Sequence, residues 1–177
     1  MEKDTGKNTN FLMDCIADAL VLLMQTRPLE KITAQQVTEL AGVGRATFFR
    51  RFGSKSEVLT YKLCRLWEDW STEHNLNDMS EFSLLTIKDF FEFNLQYKNL
   101  LLKIYDAGMQ NTIYEAFYRT MEPTELSDPM HRYANRFFSY GAFGLLDEWI
   151  KSGFKETPDE MTQIVINDIV GGNRFMS

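Results

Sequence analysis

The 177-residue chain is poor in cysteine, proline and histidine, with two, four and two of them, and has no apolar run near the ~20 residues a bilayer span needs. Cys15 and Cys64 stand far apart among apolar neighbours (MDCIADAL and YKLCRLW), so two reduced, core-facing thiols are expected. The composition, 44% hydrophobic and 25% charged with ten glycines, excludes disordered and fibrous classes. His74 and His131 fit no metal-ligand spacing such as H-E-x-x-H, no glycine-rich phosphate loop is present, and nothing marks Cys64 as an activated thiol. No catalytic residue, metal or cofactor is therefore expected, and the chain is not read as an enzyme. The polar start MEKDTGKNTN lacks a signal region, so a cytoplasmic location without membrane contact is expected. Cationic excess is also missing: 19 basic against 25 acidic residues give a net charge of -6 and a pI near 5.0. That balance disfavours a generic polyanion binder, and any nucleic-acid contact must be local.

The charge is unevenly spread. Residues 1 to 65 hold 10 basic and 7 acidic side chains, a net +3, whereas 66 to 177 hold 9 and 18, a net −9. Arg45, Arg50, Arg51 and Lys55 fall within eleven residues that contain no acid. This asymmetry fits a small nucleic-acid-facing head on an acidic body; the alternative is a solvated basic face.

Helical periodicity runs through the chain, and no alternating strand pattern bounded by turn pairs appears. Asn10 is expected to cap a first helix from about Phe11 to Gln25, ending near Pro28. Thr33, with Gln36 three places on, reads as the capping box of a short second helix that stops at Gly42. A third helix is expected over about Arg45 to Arg51, with Phe48 and Phe52 facing the core. Ser54, with Glu57 at its third position, heads a fourth that reaches about Ser71. Periodicity resumes in FSLLTIKDFFEFNL, NLLLKIYDAGM and NTIYEAFYRTM, breaks at EPTELSDP, and returns from about Met130 to Ser152. Thr157, Pro158 and Glu160 then open a last helix through about Val170. The expectation is an all-α chain of roughly nine helices.

Ile32 to Leu59, ITAQQVTELAGVGRATFFRRFGSKSEVL, has the helix, glycine turn, helix layout in which the second helix enters a DNA major groove. The alternative is an αα-hairpin within a bundle. These residues resemble the TetR-type transcriptional regulators, from about Phe11 to Leu66. The resemblance implies a three-helix DNA-binding head over 1–53 and a larger helical ligand-binding and dimerisation domain over 54–177, with the helix from Ser54 to about Ser71 linking them. It implies phosphate contacts at Thr33 and Lys55 and groove-facing positions at Arg45, Thr47 and Arg50. Phe49 stands where the family usually has a tyrosine donating to a phosphate, which phenylalanine cannot do, and Gly44 stands where a capping serine or threonine is common.

The segment RFFSYGAFGLLDEWIKSGFKETPDEMTQIVINDI is similar to the last two helices of many members, which pair across a twofold axis. Gly141, Ala142 and Gly144 would permit close approach, with Phe138, Leu145, Trp149, Ile164 and Ile169 as apolar contacts. A homodimer would then span double-stranded DNA at a pseudo-palindrome with half-sites about 34 Å apart. By the same resemblance the aromatic-rich stretch 82 to 121 should enclose an inducer site, lined by Phe90, Phe93, Tyr97, Tyr105, Tyr114 and Phe117 and suited to a small, largely apolar or aromatic molecule. A repressor released by such an inducer is the expected function. A helical protein-interaction module or co-regulator without DNA binding of its own is the alternative.

Overall fold

The computed structural model describes residues 3–76, 84–121 and 129–170, and every regular element among them is helical. Helix α1 (Lys3–Thr26) begins earlier than its sequence implied: Asn10 lies inside it, because the polar stretch before it contains no proline to stop a helix. Ile16, Leu20 and Met24, four residues apart, and Ala17, three before Leu20, are wholly or almost wholly buried on its inner face. The helix stops before Pro28, and a 3-10 turn (Leu29–Lys31) buries Leu29 and leads to the buried Ile32.

Two short helices follow, α2 (Ala34–Ala41) and α3 (Arg45–Arg51), and then α4 (Lys55–Glu73). α4 packs on α1 along one side and on α7 (Asn111–Met121) along another, so a single helix belongs to both parts of the molecule. Its buried Val58, Leu59 and Leu63 join Phe48, Phe52 and the α1 face in one continuous core. Polar ties reinforce the α1–α4 contact: the Tyr61 hydroxyl donates to Asp14 Oδ1 at 2.8 Å, and Lys62 Nζ pairs with Asp18 at 2.6 Å. On the other side, the hydroxyls of Ser56 and Thr112 meet at 3.2 Å.

The body adds α5 (Leu84–Gln96), α6 (Lys98–Asp106), α8 (Pro129–Lys151) and α9 (Pro158–Gln163), the last continued by a π-helical turn, Ile164–Val170. The break expected across Pro123 lies outside the described residues, while Pro129 opens α8. Gly153 at φ 83° and Phe154 at φ 58° turn the chain after α8. The left-handed Phe154 is held because its ring is buried 4.8 Å from Trp149, with Lys98 Nζ 5.0 Å from its centroid. Thr157 and Glu160 form the expected capping box of α9. The chain is all-α, with a helix-turn-helix head on a helical C-terminal domain. Among the described residues no helix is long and apolar enough to cross a membrane.

Candidate nucleic-acid interface

The start of α2 is set by chemistry local to the sequence. The Thr33 hydroxyl accepts from Gln36 N at 3.2 Å while the Gln36 side chain accepts from Thr33 N at 3.0 Å, satisfying two otherwise orphaned donors. The helix ends at Gly42, whose φ of 68° is left-handed, and Val43 N closes the turn onto Thr38 O at 3.0 Å. Gly44 stands at the N-cap of α3 without a side-chain cap.

Of the seven residues of α3 one is buried and five are exposed, Arg51 among them. Phe48 is buried and anchors the helix, with the buried Phe52 following it, while Arg45, Ala46, Phe49 and Arg50 are exposed. Thr47 is half-buried and stands at the margin of that exposed stripe. The structure thus brings Arg45, Phe49 and Arg50 together on one outward face, with Thr33 exposed at the head of α2. Ala46, not singled out by sequence, joins them; the spacing of one, three and one along a helix carried that information.

Lys55, which the resemblance places at a phosphate, is half-buried and engaged within the chain. Its ammonium donates to the backbone carbonyls of Leu29 at 2.6 Å and Ile32 at 2.8 Å, bridging the 3-10 turn to the first turn of α4. These carbonyls precede α2, so Lys55 ties the start of α4 to the segment that leads into the head's second helix.

The aromatic residues expected around an inducer fall into separate clusters. Phe93 meets Trp67 at 5.0 Å and Tyr97 at 5.0 Å; Phe90 meets Phe91 at 5.3 Å and Phe117 at 5.2 Å. Tyr114 stacks on Tyr140 at 4.3 Å and accepts a hydrogen bond from Arg136, whose guanidinium lies 3.8 Å over Tyr118. Tyr105 stands apart and donates to Asp147 at 2.7 Å. Burial, and then that hydrogen bond, push the Tyr105 phenol well above its usual value. Burial also pushes Asp147 up, but hydrogen bonds from Lys151 and Tyr105 outweigh it and leave the carboxyl below its usual value. A surface cleft of about 460 Å³ lies elsewhere, between the end of α1 and the last turn of α6, lined by Arg27, Glu30, Lys103 and Asp106 among others. His74 is occupied at the end of α4, stacked on Trp70 at 3.9 Å.

The residues expected to pair two chains differ in exposure. Trp149 is 1% exposed, its indole N–H donating to Glu156 O at 3.0 Å, so it lies in the core of the protomer. Leu145 and Ile164 are half-buried against the core, and the Ile169 side chain lies outside the described residues. Phe138 and Gly141 are exposed, but the broadest apolar exposure is nearer the start of α8, at Met130, Tyr133 and Phe137.

Residues 16–61 match the family described as bacterial regulatory proteins, tetR family, and residues 83–170 match the transcriptional regulator C-terminal region. The chain belongs to the TetR family of transcriptional regulators. The first match takes in the Thr33 capping box, the Gly42 turn, all of α3 and Lys55; the second covers α5 to α9. Among curated proteins, no relative matches the chain. As a TetR-family regulator it carries the DNA-binding unit of that family, and that unit includes α2 and α3.

Proposed function

We propose that the protein is a homodimeric repressor that holds a pseudo-palindromic operator through α3 and leaves it when a small, largely apolar or aromatic ligand binds the C-terminal domain. The observation that carries this reading is the outward stripe of α3, where two arginines without an acidic neighbour on the same helix flank an exposed ring. Arg45 and Arg50 supply the forked donors that suit guanine edges, and the exposed head of α2 at Thr33 lies toward the phosphate backbone. The acidic body is kept from the DNA by its own charge, so contact is confined to the head.

The second copy is read as covering the exposed side of α8, where Tyr133, Phe137, Gly141 and Gly144 recur at helical spacing. A Cβ at Gly141 or Gly144 would meet nothing within 4 Å, so these positions offer a shallow channel for a facing helix. The ligand acts by its difference in affinity between two arrangements of the aromatic clusters, one of which sets the two heads at the operator spacing. Selection of sheared genomic DNA by the full chain tests this reading, repeated with the Arg45→Ala/Arg50→Ala double variant. Enrichment of a pseudo-palindrome that the variant loses supports it. No enrichment by a folded wild-type dimer favours the interaction module instead.

A further inference from the structure

The exposed stripe of α3 has an unusual middle. Between Arg45 and Arg50 stand Ala46 and Phe49, neither of which has a side-chain hydrogen-bonding atom. Phe49 is 52% exposed, yet its ring is not loose: it meets Phe48 edge to face, centroids 5.3 Å apart and planes at 81°. Phe48 is itself 1% exposed and packs on Phe52 with centroids 6.4 Å apart. The buried ring therefore holds the outer ring in place before any ligand arrives.

A phenyl ring directed at the floor of a major groove gains nothing from base donors or acceptors. It gains from apolar surface, and the C5-methyl of thymine is the apolar group that unmodified DNA displays there. The Ala46 methyl, three residues earlier on the same face, is bound by the same argument. The flanking guanidinium groups, in contrast, match the paired acceptors of guanine. From Arg45 to Arg50 the helix rises about 7.5 Å, the length of about two base-pair steps, so these four side chains serve neighbouring base pairs.

We propose that Phe49 and Ala46 are specificity-determining residues that read thymine methyl groups in the middle of each half-site, between guanines read by Arg45 and Arg50. This rests on the DNA-binding reading above and deepens it from binding to a base preference. The phenylalanine then contributes base selection where a tyrosine hydroxyl would contribute a phosphate contact.

The test begins with selection from a random duplex library by the full chain, followed by replacement of each selected thymine with uracil, which removes the methyl and keeps the pairing. The expected result is a thymine in each half-site whose replacement weakens binding about fourfold, the effect of one buried methyl. Phe49→Ala should bind thymine and uracil equally at that position, and Phe49→Leu should keep part of the difference. A second sensitive thymine, unchanged by Phe49→Ala, belongs to Ala46 and should lose its sensitivity in Ala46→Gly. A selected site at which no uracil replacement alters affinity, or at which Phe49→Ala leaves every such difference intact, overturns the proposal while the DNA-binding reading stands. Failure of the folded protein to select any sequence overturns both.

Discussion

Lys55 donates its ammonium to the Leu29 carbonyl at 2.6 Å, across 26 residues of chain, and so ties the first turn of α4 to the segment that delivers α2. Hydrogen bonds from a charged donor are stronger than neutral ones, and removing the donor leaves the two carbonyls without it. Lys55→Met, which keeps most of the apolar stem, should lower the unfolding free energy by about 2 kcal/mol in urea titration. Arg50→Ala, on the exposed face of α3, should change it by less than about 0.5 kcal/mol. A Lys55→Met protein as stable as the parent would return Lys55 to a purely DNA-contacting role.

The Tyr61–Asp14 hydrogen bond joins the head's long helix to α4 near the Lys62–Asp18 pair. Tyr61→Phe and Asp14→Asn should each cost about 1 kcal/mol, and the double variant should cost less than their sum by at least about 0.5 kcal/mol, the mark of a shared interaction. Additive losses in a urea double-mutant cycle would show that the two side chains act independently.

Cys64 lies between α4 and α7, with Sγ 3.7 Å from the Ala116 carbonyl oxygen. Burial pushes its thiol from about 9 up to about 11. The folded state therefore holds this proton more tightly than the unfolded chain does. Its contribution is complete below pH 9 and is lost as the pH rises toward 11. Between pH 8 and about pH 10.5 the parent should lose about 2 kcal/mol more than Cys64→Ala in parallel unfolding titrations. Equal losses would assign the alkaline transition to other groups.

Phe137 is 75% exposed on α8, within the side read as facing a second copy. Phe137→Asp should convert a dimer into a monomer of unchanged helicity, followed by sedimentation equilibrium and circular dichroism. The same variant should bind an isolated half-site while losing most of its affinity for the full operator. A variant that remains dimeric would place the pairing surface elsewhere.

The parts of this molecule legible in its sequence are those governed by neighbours. Thr33 with Gln36, Thr157 with Glu160, Ser54 with Glu57, and the left-handed Gly42 are decided within three or four residues, and each stands where its side chain implied. Phe48 and Phe52 were likewise assignable to the core by their spacing. Lys55 was not, since its acceptors lie 23 and 26 residues upstream and belong to backbone atoms that any side chain would supply. α8 resisted for another reason: it is apolar on two sides. Leu146, Trp149 and Ile150 turn inward while Tyr133 and Phe137 turn outward, and periodicity alone does not say which side meets its own chain. The aromatic residues of α5 to α7 were equally ambiguous, because rings that line a ligand site and rings that pack on each other share one hydrophobic pattern.

The 19 residues of α4 make a rod about 28 Å long, held by α1 at Tyr61 and Lys62 and by α7 at Ser56 and Cys64. A rod gripped in this way acts as a lever arm. Tilting it by roughly 5° about its far end carries the near end through about 2.5 Å, most of one base-pair rise. If two copies pair as proposed above, two such levers would change the head separation by up to twice that distance, which would make a shift of this size at α7 enough to alter the register of the heads on DNA.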